Sequence, residues 1–271
     1  MIYFDNAATS FPKAPGIADR ITVLDQGQVI ADVLKSLNYK NAAMTYTNND
    51  YGKGLSDAIK KDFIKGGGKI TIDAPHQDGK ADYSAEVAAL DAAGGQVLIV
   101  AGYVDQGGSG IVRAALDTGA FSKFYFPDGM TSQALVKKFG TEIDGSYGDI
   151  PGTDSQGAAM FNKMAKAEGF SGTSTFASQS YDAAALILLA MQAADSSKPE
   201  VYKKKVFDVA NAPGVKIYPG ELGKALKILK DGGQINYQGA SAVKLIGTGD
   251  AAGSYREVEI VNGKLKTVMY R

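Results

Sequence analysis

Apolar positions recur along the first half of the chain at two alternating spacings. In Gln26–Leu37 they fall at 29, 30, 33, 34 and 37, the period of a helix. Ala42–Thr47 reads as a strand. Gly54–Lys65 turns Leu55, Ala58, Ile59 and Phe63 to one side and Lys60 and Lys61 to the other, and Gly66-Gly67-Gly68 stops that helix. Lys69–Asp73 is a second strand. Asp82 caps a helix that runs to Ala93, with Glu86 near its first turn and Gly94-Gly95 at its end. Gln96–Ala101 is almost continuously apolar, as in a strand covered on both faces. Gly110–Thr118, Lys123–Phe126 and Ser132–Phe139 extend the alternation as helix, strand, helix. This βαβ succession predicts a parallel, three-layer domain with right-handed crossovers.

The pattern changes near residue 150. Asp144–Pro151, rich in glycine and closed by proline, reads as a crossing segment. Helical stretches follow at Ser155–Glu168, Ser180–Ala194 and Glu200–Ala210 without clear strands between them. Past Pro213 come short glycine-punctuated pieces and a helix at Glu221–Lys230. Arg256–Ile260 and Lys264–Tyr270 form a hairpin about Val261-Asn262-Gly263. The expected organisation is therefore an N-terminal segment 1–25, a Rossmann-like three-layer αβα lobe over 26–150, a mostly helical and incomplete second lobe over 151–255, and strands 256–271 returning to the first.

Composition narrows the chemistry. The 271 residues carry 45% hydrophobic and 21% charged residues and a formal net charge of zero, an ordinary globular balance that argues against nucleic acid as a partner. Cysteine is absent, which excludes disulfides, thiolate metal sites and thiol catalysis. A single histidine, His76, rules out a multi-histidine metal site. No stretch reaches the ~18 apolar residues of a membrane span. The longest apolar run, Ala183–Met191, reads as a buried helix, and residues 1–16 show no apolar core of a signal peptide.

Three strands end beside polar or aromatic residues with a helix to follow: Asn49-Asp50-Tyr51-Gly52, Tyr103-Val104-Asp105 and Asp128-Gly129-Met130. Ligands of open parallel sheets bind outside the carboxyl ends of the strands. Tyr51, Tyr103 and Asp128 thus form a candidate ammonium pocket, since aromatic faces attract cations and a carboxylate makes charge-assisted hydrogen bonds. The bland alternative is a helix start, a sheet-edge ring and a turn residue. Asp105–Gly110 offers glycines ahead of a helix, but it lacks the spacing of a nucleotide-binding loop. His76 reads as a solvated loop residue, Asp82-Tyr83-Ser84 as a cap, Lys203-Lys204-Lys205 as a solvated helix face and Asp250 as a solvated loop acid. No catalytic residues and no metal ligands emerge.

The run Thr47–Gly54, then Asp82-Tyr83-Ser84, Ala101-Gly102-Tyr103 and Pro127-Asp128-Gly129, resembles the periplasmic amino-acid-binding proteins of ABC importers, the Leu/Ile/Val-binding branch of the type I periplasmic-binding fold. The resemblance covers about Gln26 to the C-terminus. It implies two Rossmann-like lobes that close on an amino acid in an interlobe cleft, a membrane permease as partner, a periplasmic location, and no cofactor. It also implies that Asp128 grips the α-ammonium while Tyr51 and Tyr103 cover the ligand. Asn6-Ala7-Ala8-Thr9-Ser10 is similar to the family's carboxylate-binding stretch, which points to the Ala7 N–H and the Thr9 hydroxyl. The chain is shorter than the family pattern, so weak binding is expected. Residues 1–15, with Met1–Lys13 the telling stretch, resemble instead the opening of cysteine desulfurases, class V aminotransferases. That likeness keeps open a pyridoxal-phosphate enzyme, although no His-Lys pair marks a cofactor lysine. A third alternative is a non-binding fragment that forms homo-oligomers through exposed apolar helix faces.

Overall fold

The computed structural model describes residues 23–246, 250–251 and 253–271. Residues 1–22, including Ala7, Thr9 and the desulfurase-like opening, lie outside them. The described chain divides into two compact units, Val23–Pro151 with Tyr255–Arg271, and Gly152–Ser254.

The first unit is built from α1 (Val23–Ser36), β1 (Asn41–Thr47), α2 (Asp50–Lys65), β2 (Lys69–His76), α3 (Ser84–Ala93), β3 (Val97–Ala101), α4 (Gly107–Thr118), β4 (Phe124–Phe126), α5 (Gln133–Phe139) and β5 (Tyr147–Pro151). In the second unit come α6 (Gln156–Ala167), α7 (Ala177–Ala194), α8 (Pro199–Tyr202), α9 (Val206–Asn211), β6 (Val215–Ile217), α10 (Leu222–Lys230), β7 (Ile235–Tyr237), β8 (Leu245–Ile246) and β9 (Asp250–Ala251). The chain then returns to the first unit through β10 (Tyr255–Val261) and β11 (Lys264–Tyr270).

One seven-stranded sheet organises the first unit, in the order β11-β10-β5-β4-β3-β1-β2. Strands β1 to β5 are mutually parallel, β10 adds antiparallel to β5, and β11 adds antiparallel to β10. Alternation along the strands sends Ala43, Leu98, Val100, Phe124 and Phe126 to one face. There they pack with Val87 and Leu90 of α3, Ile111 and Val112 of α4, and Leu135, Val136 and Phe139 of α5. Met44, Ile99 and Tyr125 fall on the opposite face and are equally buried. Full burial of a side chain such as Leu98 or Ile99 contributes about 1.5–3 kcal/mol. At the β10–β11 turn Asn262 and Gly263 both have positive φ, 53° and 66°, the geometry of a two-residue hairpin loop.

Asp144–Pro151 departs from the crossing segment expected of it. Its second half is β5, and Gly148, Asp149, Ile150 and Pro151 are all buried between β4 and β10. Glycine and proline suggested a loop, but Pro151 closes the strand, where the lost N–H costs little. The helix expected at Glu200–Ala210 is also interrupted, by a 3₁₀ turn at Lys203–Lys205.

The second unit packs α7 through Ala185, Leu186, Leu189 and Ala190 against Val206 and Val209 of α9, Ala225 of α10, and Ile217, Ile235 and Tyr237 of the parallel pair β6–β7. Asp182, buried near the start of α7, accepts hydrogen bonds from Tyr237 Oη (2.8 Å), the Ala240 N–H (2.7 Å), and the Ser241 N–H (2.7 Å) and Oγ (2.6 Å). One carboxylate thereby fixes the Tyr237–Ser241 turn onto α7.

Candidate functional site

The parallel strands run in the order β2-β1-β3-β4-β5, so β1 and β3 are neighbours although β2 separates them in the chain. The strand order reverses direction there, and the carboxyl ends of the strands leave a crevice at such a place. Tyr51 follows β1, Tyr103 follows β3, and Asp128 follows the adjacent β4.

Each is positioned by local chemistry. Asn49 caps α2 by accepting the Gly52 N–H at 2.9 Å, which places Tyr51 in the first turn. Asp128 sits in a turn closed by Met130 and Thr131 N–H groups donating to the Pro127 carbonyl at 2.9 and 3.0 Å. A Cβ at Gly129 would lie 2.5 Å from the Gly102 carbonyl and 3.2 Å from both Tyr51 Oη and Tyr103 Cδ1. Only glycine lets this turn approach the two phenols so closely.

The three side chains meet. Tyr51 Oη donates to Asp128 Oδ1 at 2.8 Å, and the Tyr51 and Tyr103 rings lie 5.3 Å apart, tilted by 31°. Asp128 Oδ1 also accepts the Gly129 N–H at 2.9 Å. Asp128 is only 4% exposed, while Tyr103 and Gly129 are half-buried and form the open side. Burial pushes the Asp128 carboxyl above the usual carboxylate range, against the lowering pull of its hydrogen bonds from Tyr51, Gln26 and Gly129. Burial and then the Asp128 charge hold the Tyr51 phenol well above its usual value, so it stays a donor. Among the described residues no Lys or Arg pairs with Asp128. The site is a buried carboxyl flanked by two aromatic faces.

Behind Asp128 lie groups that the sequence pattern did not single out. Gln26 Nε2, from α1, donates to Asp149 Oδ2 of β5 at 2.8 Å. Asp149 is fully buried and pairs in register with Glu257 of β10, whose carboxylate receives Arg271 Nε at 2.6 Å. The only sequence signal for Asp149 is a lone acid in a short buried strand, and that signal vanishes once the segment is read as a loop.

The remaining expectations resolve as follows. His76 is not a solvated loop residue: β2 runs on through Pro75, and His76 ends it at 1% exposure. Its Nδ1 lies 2.9 Å from Thr45 Oγ1, its Nε2 stands 3.9 Å from Asp78 Oδ1, and burial lowers its pKa. The glycines of Asp105–Gly110 start α4 three residues earlier than expected, and the Gly107 N–H is already bonded to Asp78 at 2.9 Å. Asp82 accepts from the Ser84 N–H and Oγ, but it is not the N-cap expected of it: that position is Tyr83, one residue on, which makes no side-chain cap hydrogen bond. Ala7 and Thr9 lie outside the described residues. No group of three His, Cys, Asp or Glu able to hold a metal occurs among the described residues. None of their helices is long and apolar enough to cross a membrane. An open hollow of about 550 Å³ in the second unit, lined by Asn162, Lys166, Phe170 and Thr173 among others, contains no buried charge.

A doubly wound αβα unit with its polar residues at the strand-order reversal defines a ligand-binding architecture, and comparison with known proteins assigns it. The family model described as "Periplasmic binding protein" matches residues 22–249, and the chain belongs to that family. Its fold is that of the type I periplasmic-binding proteins. Leu/Ile/Val-binding protein homolog 3 of Brucella melitensis is 35% identical over 142 residues, which cover 51% of this chain and 34% of that protein. Homolog 1 of the same organism is 30% identical over 181 residues, covering 66% of this chain and 47% of the relative. The chain thus spans half or less of the curated relatives it matches. The leucine-binding protein LivK of Thermotoga maritima superposes with a TM-score of 0.73 at 20% identity, over 91% of this chain and 65% of that one.

Proposed function

We propose that this chain contributes to a solute-binding protein of an ABC importer and captures an amino acid without chemical turnover. One observation carries the reading: Asp128 is a buried carboxylate that pairs with no Lys or Arg among the described residues, set against two phenol rings at the reversal of strand order. An α-ammonium supplies the missing charge. It would donate a charge-assisted hydrogen bond to Asp128 and gain cation–π attraction from Tyr51 or Tyr103. The Leu/Ile/Val-binding relatives support a branched aliphatic side chain on the ligand. In this reading the Ala7 N–H and Thr9 hydroxyl would take the ligand carboxylate, a membrane permease would take delivery and the periplasm would be the compartment; the family likeness supports each.

Titration calorimetry with L-leucine, L-isoleucine and L-valine tests the reading. Asp128→Asn keeps the shape and removes the charge. It is expected to weaken binding about 10- to 100-fold, the worth of a hydrogen bond to a charged group. Equal affinity in the wild type and Asp128→Asn would refute the amine-binding role.

A further inference from the structure

We propose that His76 and Asp78 are positioning residues for Tyr103: they brace the segment Gly102–Gly107 from beneath, and a proton taken up by His76 releases the brace. The inference rests on the amine-binding reading and deepens it, because it names what holds the aromatic side of that site and what loosens it.

The brace stands at the carboxyl ends of three adjacent strands. His76 closes β2 with its side chain fully buried. Its Nδ1 lies 2.9 Å from Thr45 Oγ1 of β1, while its Nε2 is buried without a hydrogen-bond partner. Two glycines close over the ring. A Cβ at Gly102 would lie 3.1 Å from Nε2, and a Cβ at Gly107 would lie 2.8 Å from Cδ2. These two glycines flank the segment that carries Tyr103 from the end of β3 into α4. The Gly102 carbonyl abuts the Asp128 turn in its own right, since a Cβ at Gly129 would come within 2.5 Å of it. A shift of residues 102–107 therefore moves Tyr103 and presses on the turn that presents Asp128.

Asp78 ties the segment down. Its Oδ1 accepts the N–H of Gly107, the first residue of α4, at 2.9 Å, and its Oδ2 accepts the Thr47 hydroxyl. The same Oδ1 stands 3.9 Å from His76 Nε2, within reach of an ion pair but beyond a hydrogen bond. A neutral imidazole carries one N–H and a charged one carries two. With a second proton, Nε2 becomes a charged donor while Nδ1 still faces Thr45. The bond it would make is about 2.8 Å long, so the ring and Asp78 must close by roughly 1 Å. Both oxygens of Asp78 are already engaged, and the Gly107 or the Thr47 bond has to give way.

The other titratable and charged groups around the ring are committed elsewhere. Tyr83, just before α3, meets it edge-on at 6.3 Å and donates its hydroxyl to the Gln77 carbonyl at 2.9 Å. Glu86 of α3 is paired with Lys80. From the β3–α4 side the ring meets Gly102 and Gly107, which have no side chains. Burial lowers the His76 pKa, against the raising pull of Asp78 and Glu86, in keeping with a proton that the folded brace resists.

The chain has one histidine, so its imidazole gives a single NMR titration. Coupling between two bound species is reciprocal: a proton that loosens the site must itself be driven off by the ligand. In the full chain, saturating L-leucine is expected to lower the His76 midpoint by about one pH unit, the counterpart of about tenfold weaker binding to the protonated form. Asp78→Asn still offers Gly107 an acceptor but no ion pair, and is expected to abolish that shift. A purely structural histidine would titrate alike with and without leucine. A midpoint unmoved by leucine would overturn the inference, and so would an imidazole that takes no proton before the chain unfolds.

Amide exchange without ligand reads the brace itself. Corrected for intrinsic rates, exchange at Gly107 is expected to accelerate about tenfold as the imidazole gains its proton. Gly107 protection that does not follow the imidazole would overturn the role of Asp78. Both wild-type readings stand even where circular dichroism shows Asp78→Asn to be unfolded. If wild-type protein takes up no leucine at millimolar concentration, the amine reading falls, and the Gly107 exchange still decides whether the brace exists.

Discussion

Tyr51 reaches Asp128 because residue 52 has no side chain. A Cβ on Gly52 would lie 2.1 Å from the Thr47 carbonyl oxygen, a backbone atom that cannot swing aside. The first turn of α2 can then lie directly on the end of β1, and Tyr51 is carried toward the β4 turn. Gly52→Ala must lift that turn. Overpacking against backbone costs typically 1–3 kcal/mol, and the same displacement lengthens the 2.8 Å bond from Tyr51 to Asp128. Urea denaturation should show destabilisation in that range, together with a leucine affinity reduced as far as in Tyr51→Phe. A variant as stable as wild type would show that the helix start is looser than its packing implies. Of the site, Tyr51, Tyr103 and Asp128 were legible because each stands just past an apolar strand, where topology alone places a crevice. Gln26 and Asp149 were not, because their contact spans 123 positions and leaves no local pattern. His76 was misread for a related reason. Its loop-like neighbours Pro75, Gln77 and Gly79 outweigh a strand that tertiary pairing extends to residue 76.

At the scale of elements, the long and strongly periodic segments were readable and the short ones were not. Helices α1 and α2, strand β3 and the β10–β11 hairpin declare themselves through periodicity, caps and Asn-Gly. Strands β6 and β7 have three residues each, too few for alternation to show, and they are held because α7, α9 and α10 bury Ile217, Ile235 and Tyr237. What holds that region together is Asp182 as much as apolar contact. Burial raises its pKa, but four hydrogen bonds from the Tyr237–Ser241 turn keep the carboxyl in place. Asp182→Ala leaves the Ala240 and Ser241 N–H groups and the Tyr237 hydroxyl without their acceptor. Each buried donor left unpaired costs about 1–3 kcal/mol. Hydrogen exchange at Ala240 and Ser241 should accelerate by at least 10-fold, with local opening the cause. Unchanged protection would mean that apolar packing alone fixes the turn.

For the molecule as a whole, the buried titratable groups of the first unit oppose one another, and the balance makes its stability depend on pH in an unusual direction. Asp128 and Asp149 have raised pKa values in the folded state. Between the ordinary carboxylate range and those raised values, the folded chain binds more protons than the unfolded chain, so stability falls as pH rises through that window. His76 acts the other way. Its folded pKa is lowered by burial, so the unfolded chain binds the extra proton and stability falls as pH drops below about 6.5. Each group contributes a slope of at most about 1.4 kcal/mol per pH unit. Asp149, held well above the usual carboxylate range, should make the first unit lose stability as pH rises out of that range. Amide exchange at Leu98, Ile99 and Val100, corrected for intrinsic rates, reads this unit by itself, because fully buried central-strand amides exchange by global opening. Asp149→Asn removes the acid whose pKa is raised furthest, so the loss of stability with rising pH should weaken. Greater protection at pH 7.5 than at pH 5 in the wild type would mean that the carboxyls are solvated in solution. The buried charge from which the amine site draws its affinity would then be absent as well.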